Sequence, residues 1–195
     1  MSKTVDFYYD YGSPTAYLAW TQLPAICAKH NATLNYQPIL LGGVFKGTNN
    51  QSPVMIKAKG EWLLKDVERY ARHYGVAYAM NPHFIVNTMP AMRGAMWAKS
   101  TGQLEAYNAA MYPAMWADQK DIAQPEVIQD VLSKAGLDAT AMSEAIQQQD
   151  IKQALIDATN AAVEAGVFGA PTMIVDGEMH FGQDRLDWVD RALAS

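Results

Sequence analysis

The sequence predicts an α/β fold with its β-structure at the two ends of the chain and a long helical middle. Three observations carry this. A β-branched and aromatic run, Val5-Asp6-Phe7-Tyr8-Tyr9, lies near the N-terminus. Apolar residues recur at helical spacing between residues 42 and 150, and two short β-rich runs flank Asp176-Gly177 near the C-terminus.

Residues 5–9 read as a first strand. Gly12-Ser13-Pro14 stops it and opens a helix. Ser is a preferred N-cap, and Pro suits the first helical position because its missing N–H would have no partner there. Pro24 falls inside the helical pattern, so a kink or restart is expected near Gln22 and Leu23. Asn31 closes this segment, and residues 33–40, alternating around Leu34 and Tyr36, read as a second strand. Leu63, Val67, Tyr70 and Tyr74 then share one helix face that ends before Gly75. Residues 90–99 and 104–115 suggest two more helices. Pro125 opens another, with Ile128, Val131 and Leu132 inward and Gly136 as its stop. Ile151, Leu155 and Ala162 continue the pattern to Gly166. Thr172–Val175 and Glu178–Phe181 form a hairpin about Asp176-Gly177, and Gly182 and Asp184 precede a last helix with Leu186, Val189 and Leu193 on its apolar face. The order β-α-β, helices, α-β-β-α is that of a thioredoxin-like fold with a large all-helical insertion. Residues 1–41 and 151–195 make the thioredoxin-like domain and residues 42–150 the insertion.

Composition narrows the function classes. The 195 residues carry 15 Lys+Arg against 20 Asp+Glu, and this acidic balance argues against a nucleic-acid partner. Half the residues are apolar and 18% charged, which excludes general disorder. No apolar run reaches the roughly 20 residues of a membrane span. Met1-Ser2-Lys3-Thr4 passes straight into the first strand with no secretory h-region. The single Cys27 excludes an internal disulfide and any Cys-rich metal site, so a reducing, cytoplasmic compartment is expected.

Three places invite chemistry. Ser13 opens a helix after a strand, where unpaired N–H groups and the helix dipole favour negative charge. Its hydroxyl is either an ordinary N-cap or a donor to a bound thiolate, and the two roles are compatible. Pro171, directly before a strand, is either a trans strand start or a cis residue that leaves Ala170 with backbone groups free for an extended peptide. Gly182-Gln183-Asp184-Arg185 is either a helix cap or a site where Asp184 meets an ammonium while nearby N–H groups hold a carboxylate. His30, His73, His83 and His180 form no metal-ligand spacing and read as surface or satisfied structural residues; Cys27 reads as a buried small hydrophobe. The Met and Trp residues fall largely in helical stripes (Met89, Met92 and Met96; Met111 and Met115 with Trp116), the usual pattern of core, with an apolar pocket lined by Met and aromatics as the alternative.

The segments Asp6-Phe7-Tyr8-Tyr9-Asp10-Tyr11-Gly12-Ser13-Pro14 with Tyr17-Leu18-Ala19, then Phe168-Gly169-Ala170-Pro171-Thr172, then Phe181-Gly182-Gln183-Asp184-Arg185, together resemble one family. It is that of the 2-hydroxychromene-2-carboxylate isomerases and kappa-class glutathione transferases, relatives of the disulfide oxidoreductase DsbA. The resemblance spans essentially the whole chain. It implies a DsbA-like thioredoxin fold, a homodimer, glutathione as cofactor and a small aromatic or electrophilic substrate. It also implies that Ser13 contacts the glutathione sulfur, that Ala170 and Pro171 pair with the cysteinyl backbone, and that Gln183 and Asp184 hold the γ-glutamyl end. Asn50, with Asn49 equally close, and Lys59 match the asparagine and lysine that the family draws from its insertion. Gln183 stands where kappa enzymes often have Ser. The implied reaction is reversible thiolate addition that turns 2-hydroxychromene-2-carboxylate into trans-2-hydroxybenzylidenepyruvate. A kappa-like transferase or peroxidase and a non-catalytic thioredoxin-like binding module are the alternatives. DsbA-type disulfide oxidation needs paired thiols that Cys27 alone does not supply.

Overall fold

The computed structural model describes residues 2–195 and holds four strands and nine α-helices among them. Burial alternates along β1 (Thr4–Tyr9), sending Val5, Phe7 and Tyr9 to one face of the sheet and Tyr8 to the other. The helix α1 (Pro14–Lys29) carries the chain over to β2 (Thr33–Pro38), which lies parallel to β1. At the other end β3 (Thr172–Val175) and β4 (Glu178–Phe181) form an antiparallel hairpin, giving the order β2-β1-β3-β4. Asp176 and Gly177 take φ of 50° and 85°, the two positive values that a type I′ hairpin turn requires. This is the thioredoxin-like arrangement.

Two apolar layers sandwich the sheet. On one side α1 and α9 (Leu186–Ala194) pack against Val5, Phe7, Tyr9, Met173 and Val175. On the other, α2 (Leu41–Gly47) and α8 (Gln149–Glu164) enclose a smaller cluster of Ile39, Val44, Ala162 and Val167 with Tyr8 and Ile174. Between α2 and α8 the chain makes α3 (Lys57–Tyr74), α4 (Met89–Ser100), α5 (Leu104–Trp116), α6 (Pro125–Lys134) and α7 (Ala139–Ala145). The hydroxyls of Tyr9 and Tyr11 both donate to Asn108 Oδ1, at 2.7 and 2.6 Å, and so pin the end of β1 to α5. Each such buried bond contributes about 1 kcal/mol net. A Cβ on Gly94 would lie 2.1 Å from the Tyr107 hydroxyl, which uses that gap to donate to the Ala91 carbonyl at 2.9 Å. Met92, Met96, Met111, Met115 and Trp116 belong to this core. No helix among the described residues is long and apolar enough to cross a membrane.

Three local expectations differ from the structure. Of the kink or restart expected at Pro24, the restart is absent: α1 continues through Pro24, which lies on an exposed face where losing a backbone bond costs less than in the core. The second strand stops at Pro38, two residues early, since the Leu40 N–H turns to the Thr159 hydroxyl at 3.0 Å. Finally, α2, α7 and a 3₁₀ turn at Pro53–Met55 break up what the sequence shows only as helical periodicity; at seven residues or fewer they hold too few repeats to stand out.

Candidate functional site

Ser13 is the N-cap of α1. Its Oγ accepts the Ala16 N–H at 3.1 Å and donates to the Ala170 carbonyl at 2.9 Å, with the Thr15 hydroxyl 3.0 Å away. One oxygen therefore caps the helix and also joins its N-terminus to the loop before β3. The Ala170–Pro171 bond in that loop is cis. The Pro171 carbonyl accepts the Gly182 N–H at 3.0 Å and so brings the segment after β4 alongside. Gly182 has φ of 101°, and a Cβ there would fall 2.5 Å from Asp184 Oδ1, so the position is closed to any side chain. Tyr74 of α3 donates to the Gln183 carbonyl at 3.0 Å and holds the same turn from the other side.

The cap expected of Asp184 does not form. Helical structure begins one turn earlier, in a 3₁₀ turn at Gln183–Arg185, so Asp184 sits inside it and its carboxylate pairs with Arg185 Nη1 at 2.7 Å. The N–H groups of Gln183 and Asp184 have no acceptor among the described residues. Gln183 is 5% exposed, and its side-chain amide has no hydrogen-bond partner among those residues either.

These elements surround one cavity of about 540 Å³, whose lining includes all seven residues singled out from the sequence: Ser13, Asn50, Lys59, Ala170, Pro171, Gln183 and Asp184. That volume suits a small organic ligand. Asn50, not Asn49, belongs to the lining; its Nδ2 donates to the Phe168 carbonyl at 3.0 Å and its Oδ1 accepts the Gln51 N–H at 2.8 Å. Lys59 is exposed in the first turn of α3 and makes no ion pair among the described residues. Its neighbour Gly60 lets α3 approach the Val54 backbone, since a Cβ there would lie 3.1 Å from Val54 Cα.

The apolar wall escaped the sequence reading. Phe45, Trp62, Leu63, Phe84, Phe168 and Phe181 line the cavity, and the rings of Phe168 and Phe181 sit 4.6 Å apart. Gly169 makes room for that pair, because a Cβ would be 2.9 Å from the Phe181 ring. Phe168 and Phe181 stand inside the two C-terminal motifs, whereas Phe45, Trp62 and Phe84 come from separate segments whose convergence no local pattern encodes.

The remaining candidates lie elsewhere. None of the four histidines lines the cavity. His30 contacts Asp190 at 2.8 Å and His83 lies 3.8 Å from Asp121. His180 is buried with its Nε2 unpartnered, so the expected satisfied histidine does not hold there: β4 directs it into the apolar side of the sheet. Cys27 is buried, and burial pushes its thiol up to about 11, which leaves almost no thiolate at neutral pH.

The chain matches the DSBA-like thioredoxin domain over residues 4–194. It is 30% identical to a 2-hydroxychromene-2-carboxylate isomerase from Sphingobium xenophagum, with 99% of each chain covered. It is likewise 30% identical to glutathione S-transferase kappa 1 from Rattus norvegicus, over 95% of this chain and 88% of the relative. A solved 2-hydroxychromene-2-carboxylate isomerase superposes with a TM-score of 0.87 at 28% identity, covering 98% of this chain and 94% of that one. The chain thus belongs to the DSBA-like thioredoxin-domain family, among the 2-hydroxychromene-2-carboxylate isomerases and kappa-class glutathione transferases.

Proposed function

We propose that this protein is a glutathione-dependent isomerase acting on 2-hydroxychromene-2-carboxylate or a closely similar conjugated aromatic acid. The observation that carries the reading is the convergence on one cavity of a helix N-terminus with its serine, the cis-proline loop and the Gln183-Asp184 turn. The residues present fit glutathione. A tripeptide with a free ammonium and two carboxylates needs an acid, unpaired N–H groups and a cation, and Asp184, the N–H groups of Gln183 and Asp184, and Lys59 supply them. The Ala170 N–H has no acceptor among the described residues and is open to the cysteinyl residue, while its carbonyl is held by Ser13, and Asn50 braces the adjoining loop at Phe168.

When bound, glutathione supplies a thiolate able to add reversibly to a conjugated substrate. Ser13 and the α1 N-terminus favour the negative charge there, the hydroxyl by donating a hydrogen bond and the helix by its dipole. Thr15, whose hydroxyl lies 3.4 Å from the Ala170 carbonyl, is placed to satisfy that oxygen when Ser13 turns away. Phe45, Trp62 and Phe84 give an apolar surface for an aromatic ring and keep water from it. Cys27 takes no part. Family resemblance supports a homodimer, and the single Cys27 fits a reducing, cytoplasmic compartment.

The test is turnover of 2-hydroxychromene-2-carboxylate with free thiol counted in parallel. Product formed only when glutathione is present, with no loss of thiol, supports the isomerase. Steady consumption of glutathione with an electrophile or hydroperoxide, and no isomerisation, makes the protein a kappa-like transferase or peroxidase instead. The equal identity to the rat transferase keeps that second reading in view.

A further inference from the structure

One buried carboxylate that touches no ligand-binding surface stands where three cavity-building segments meet. Asp10 is 1% exposed. Its Oδ1 accepts the Gly12 N–H at 2.8 Å and its Oδ2 accepts the Leu41 N–H at 2.8 Å, and the Thr88 side chain lies close by. Its backbone carbonyl accepts the Ser13 N–H at 3.0 Å. Gly12 and Ser13 open α1, Leu41 opens α2 and lines the cavity, and Thr88 is the N-cap position of α4. The packing is close: a Cβ on Gly12 would meet Thr88 Cγ2 at 3.1 Å and Asp10 Oδ1 at 3.4 Å. The titratable groups facing Asp10 are the phenols of Tyr9 on its own strand and Tyr112 on α5, and no Lys, Arg or His acts on it.

Both hydrogen-bond partners of the carboxylate are backbone N–H groups, which can only donate. A carboxylate accepts strongly at both oxygens, whereas protonation of either one weakens it as an acceptor for its N–H. We propose that Asp10 is the positioning residue of the Ser13 site: as a carboxylate it ties the Ser13 turn to the start of α2, and its protonation weakens one tie and loosens the thiol-binding end of the cavity. The ligand half of this statement rests on the glutathione reading; the tie itself does not.

The energetics agree with a role in geometry. Burial raises the Asp10 pKa, and its two hydrogen bonds and the nearby Thr88 hydroxyl only partly oppose this. A carboxyl group whose folded value lies above its unfolded value binds more protons when folded, so stability falls as pH rises through the folded value and is greatest below the unfolded one. Once ionised, Asp10 therefore costs stability, and with no cation beside it the charge serves its hydrogen bonds.

The experiment is a pH titration of backbone amide shifts in the unliganded protein, followed by binding of S-methylglutathione, which has no thiol to titrate. The Gly12 and Leu41 amides are expected to share one single-proton step above the ordinary Asp range. That step is absent in Asp10→Asn, and it moves upward in Thr88→Val, which loses the hydroxyl beside the carboxylate. Across the same step, affinity for S-methylglutathione falls about tenfold in the wild type, the order of one charge-assisted hydrogen bond. In Asp10→Asn affinity is low and independent of pH, while Asp184→Asn binds weakly but keeps the step. Gly12 and Leu41 amides without a common step overturn the proposal, as does an Asp10→Asn protein that binds like wild type at every pH. A shared amide step in a protein that binds no S-methylglutathione upholds the tie and removes the glutathione reading. The wild-type and Thr88→Val titrations decide the matter even where Asp10→Asn does not fold.

Discussion

Replacing Ser13 by Ala removes one oxygen that serves three tasks, and their sizes can be separated. The Ala16 N–H loses its cap, which costs about 1 kcal/mol. The Ala170 carbonyl loses a donor at 2.9 Å, but the Thr15 hydroxyl stands 3.4 Å away and closes in, so this loss falls at the low end of the roughly 1–3 kcal/mol range for an unsatisfied acceptor. Together they destabilise the fold by about 1–2 kcal/mol and lower Tm by roughly 2–8 °C for a chain of this size. The third task appears only with ligand. A hydroxyl donating to a thiolate is worth about 1.5–3 kcal/mol, which at about 1.4 kcal/mol per pKa unit raises the bound thiol's pKa by roughly 1–2 units when lost. Ultraviolet titration of glutathione bound to wild type and to Ser13→Ala, with a thermal melt of each, measures both. A lowered Tm with an unchanged thiol pKa refutes the thiolate role and leaves Ser13 as a cap alone.

Other substitutions probe the surrounding framework. Gly182→Ala forces a side chain into a glycine-only backbone region and against Asp184, so we expect a loss of about 1–3 kcal/mol in a denaturant melt together with weakened glutathione binding; full binding would show that the turn tolerates rearrangement. Cys27→Ala should keep full turnover, and with its thiol near 11 the native Cys27 should resist alkylation at neutral pH until the protein unfolds; rapid labelling of folded protein would contradict its burial. Trp62 is 61% exposed at the cavity rim, so Trp62→Ala should leave stability within about 0.5 kcal/mol and glutathione affinity unchanged while raising KM for an apolar substrate; an unchanged KM would take Trp62 out of the substrate wall.

What could be read from the sequence depended on how local the signal was. The Ser13-Pro14 start, the Asp176-Gly177 hairpin and the helix stops at Gly75, Gly136 and Gly166 each follow from the backbone chemistry of a few residues, and the structure has all of them. The glycine stops all take positive φ. Whether Pro24 restarts the helix depends on which face of α1 it occupies, and only packing decides that. The isomer of the Ala170–Pro171 bond and the choice of Asn50 over Asn49 are likewise set by contacts across the fold; the Asn50 amide reaches Phe168, 118 positions away. Asp10 is a sharper case. It lies inside the first motif, yet its bond to Leu41 joins a segment 31 positions off, which no sequence period displays. The cavity's polar half was thus legible through motifs, and its aromatic half was not.

The account rests on the cavity being a glutathione site, and calorimetric titration of reduced glutathione into wild type and Asp184→Ala tests that most directly. We expect saturable binding to the wild type and an affinity lower by about tenfold or more in Asp184→Ala, the loss of one charge-assisted contact to the γ-glutamyl ammonium. No heat of binding at millimolar glutathione would contradict the account and make the protein a non-catalytic thioredoxin-like binding module.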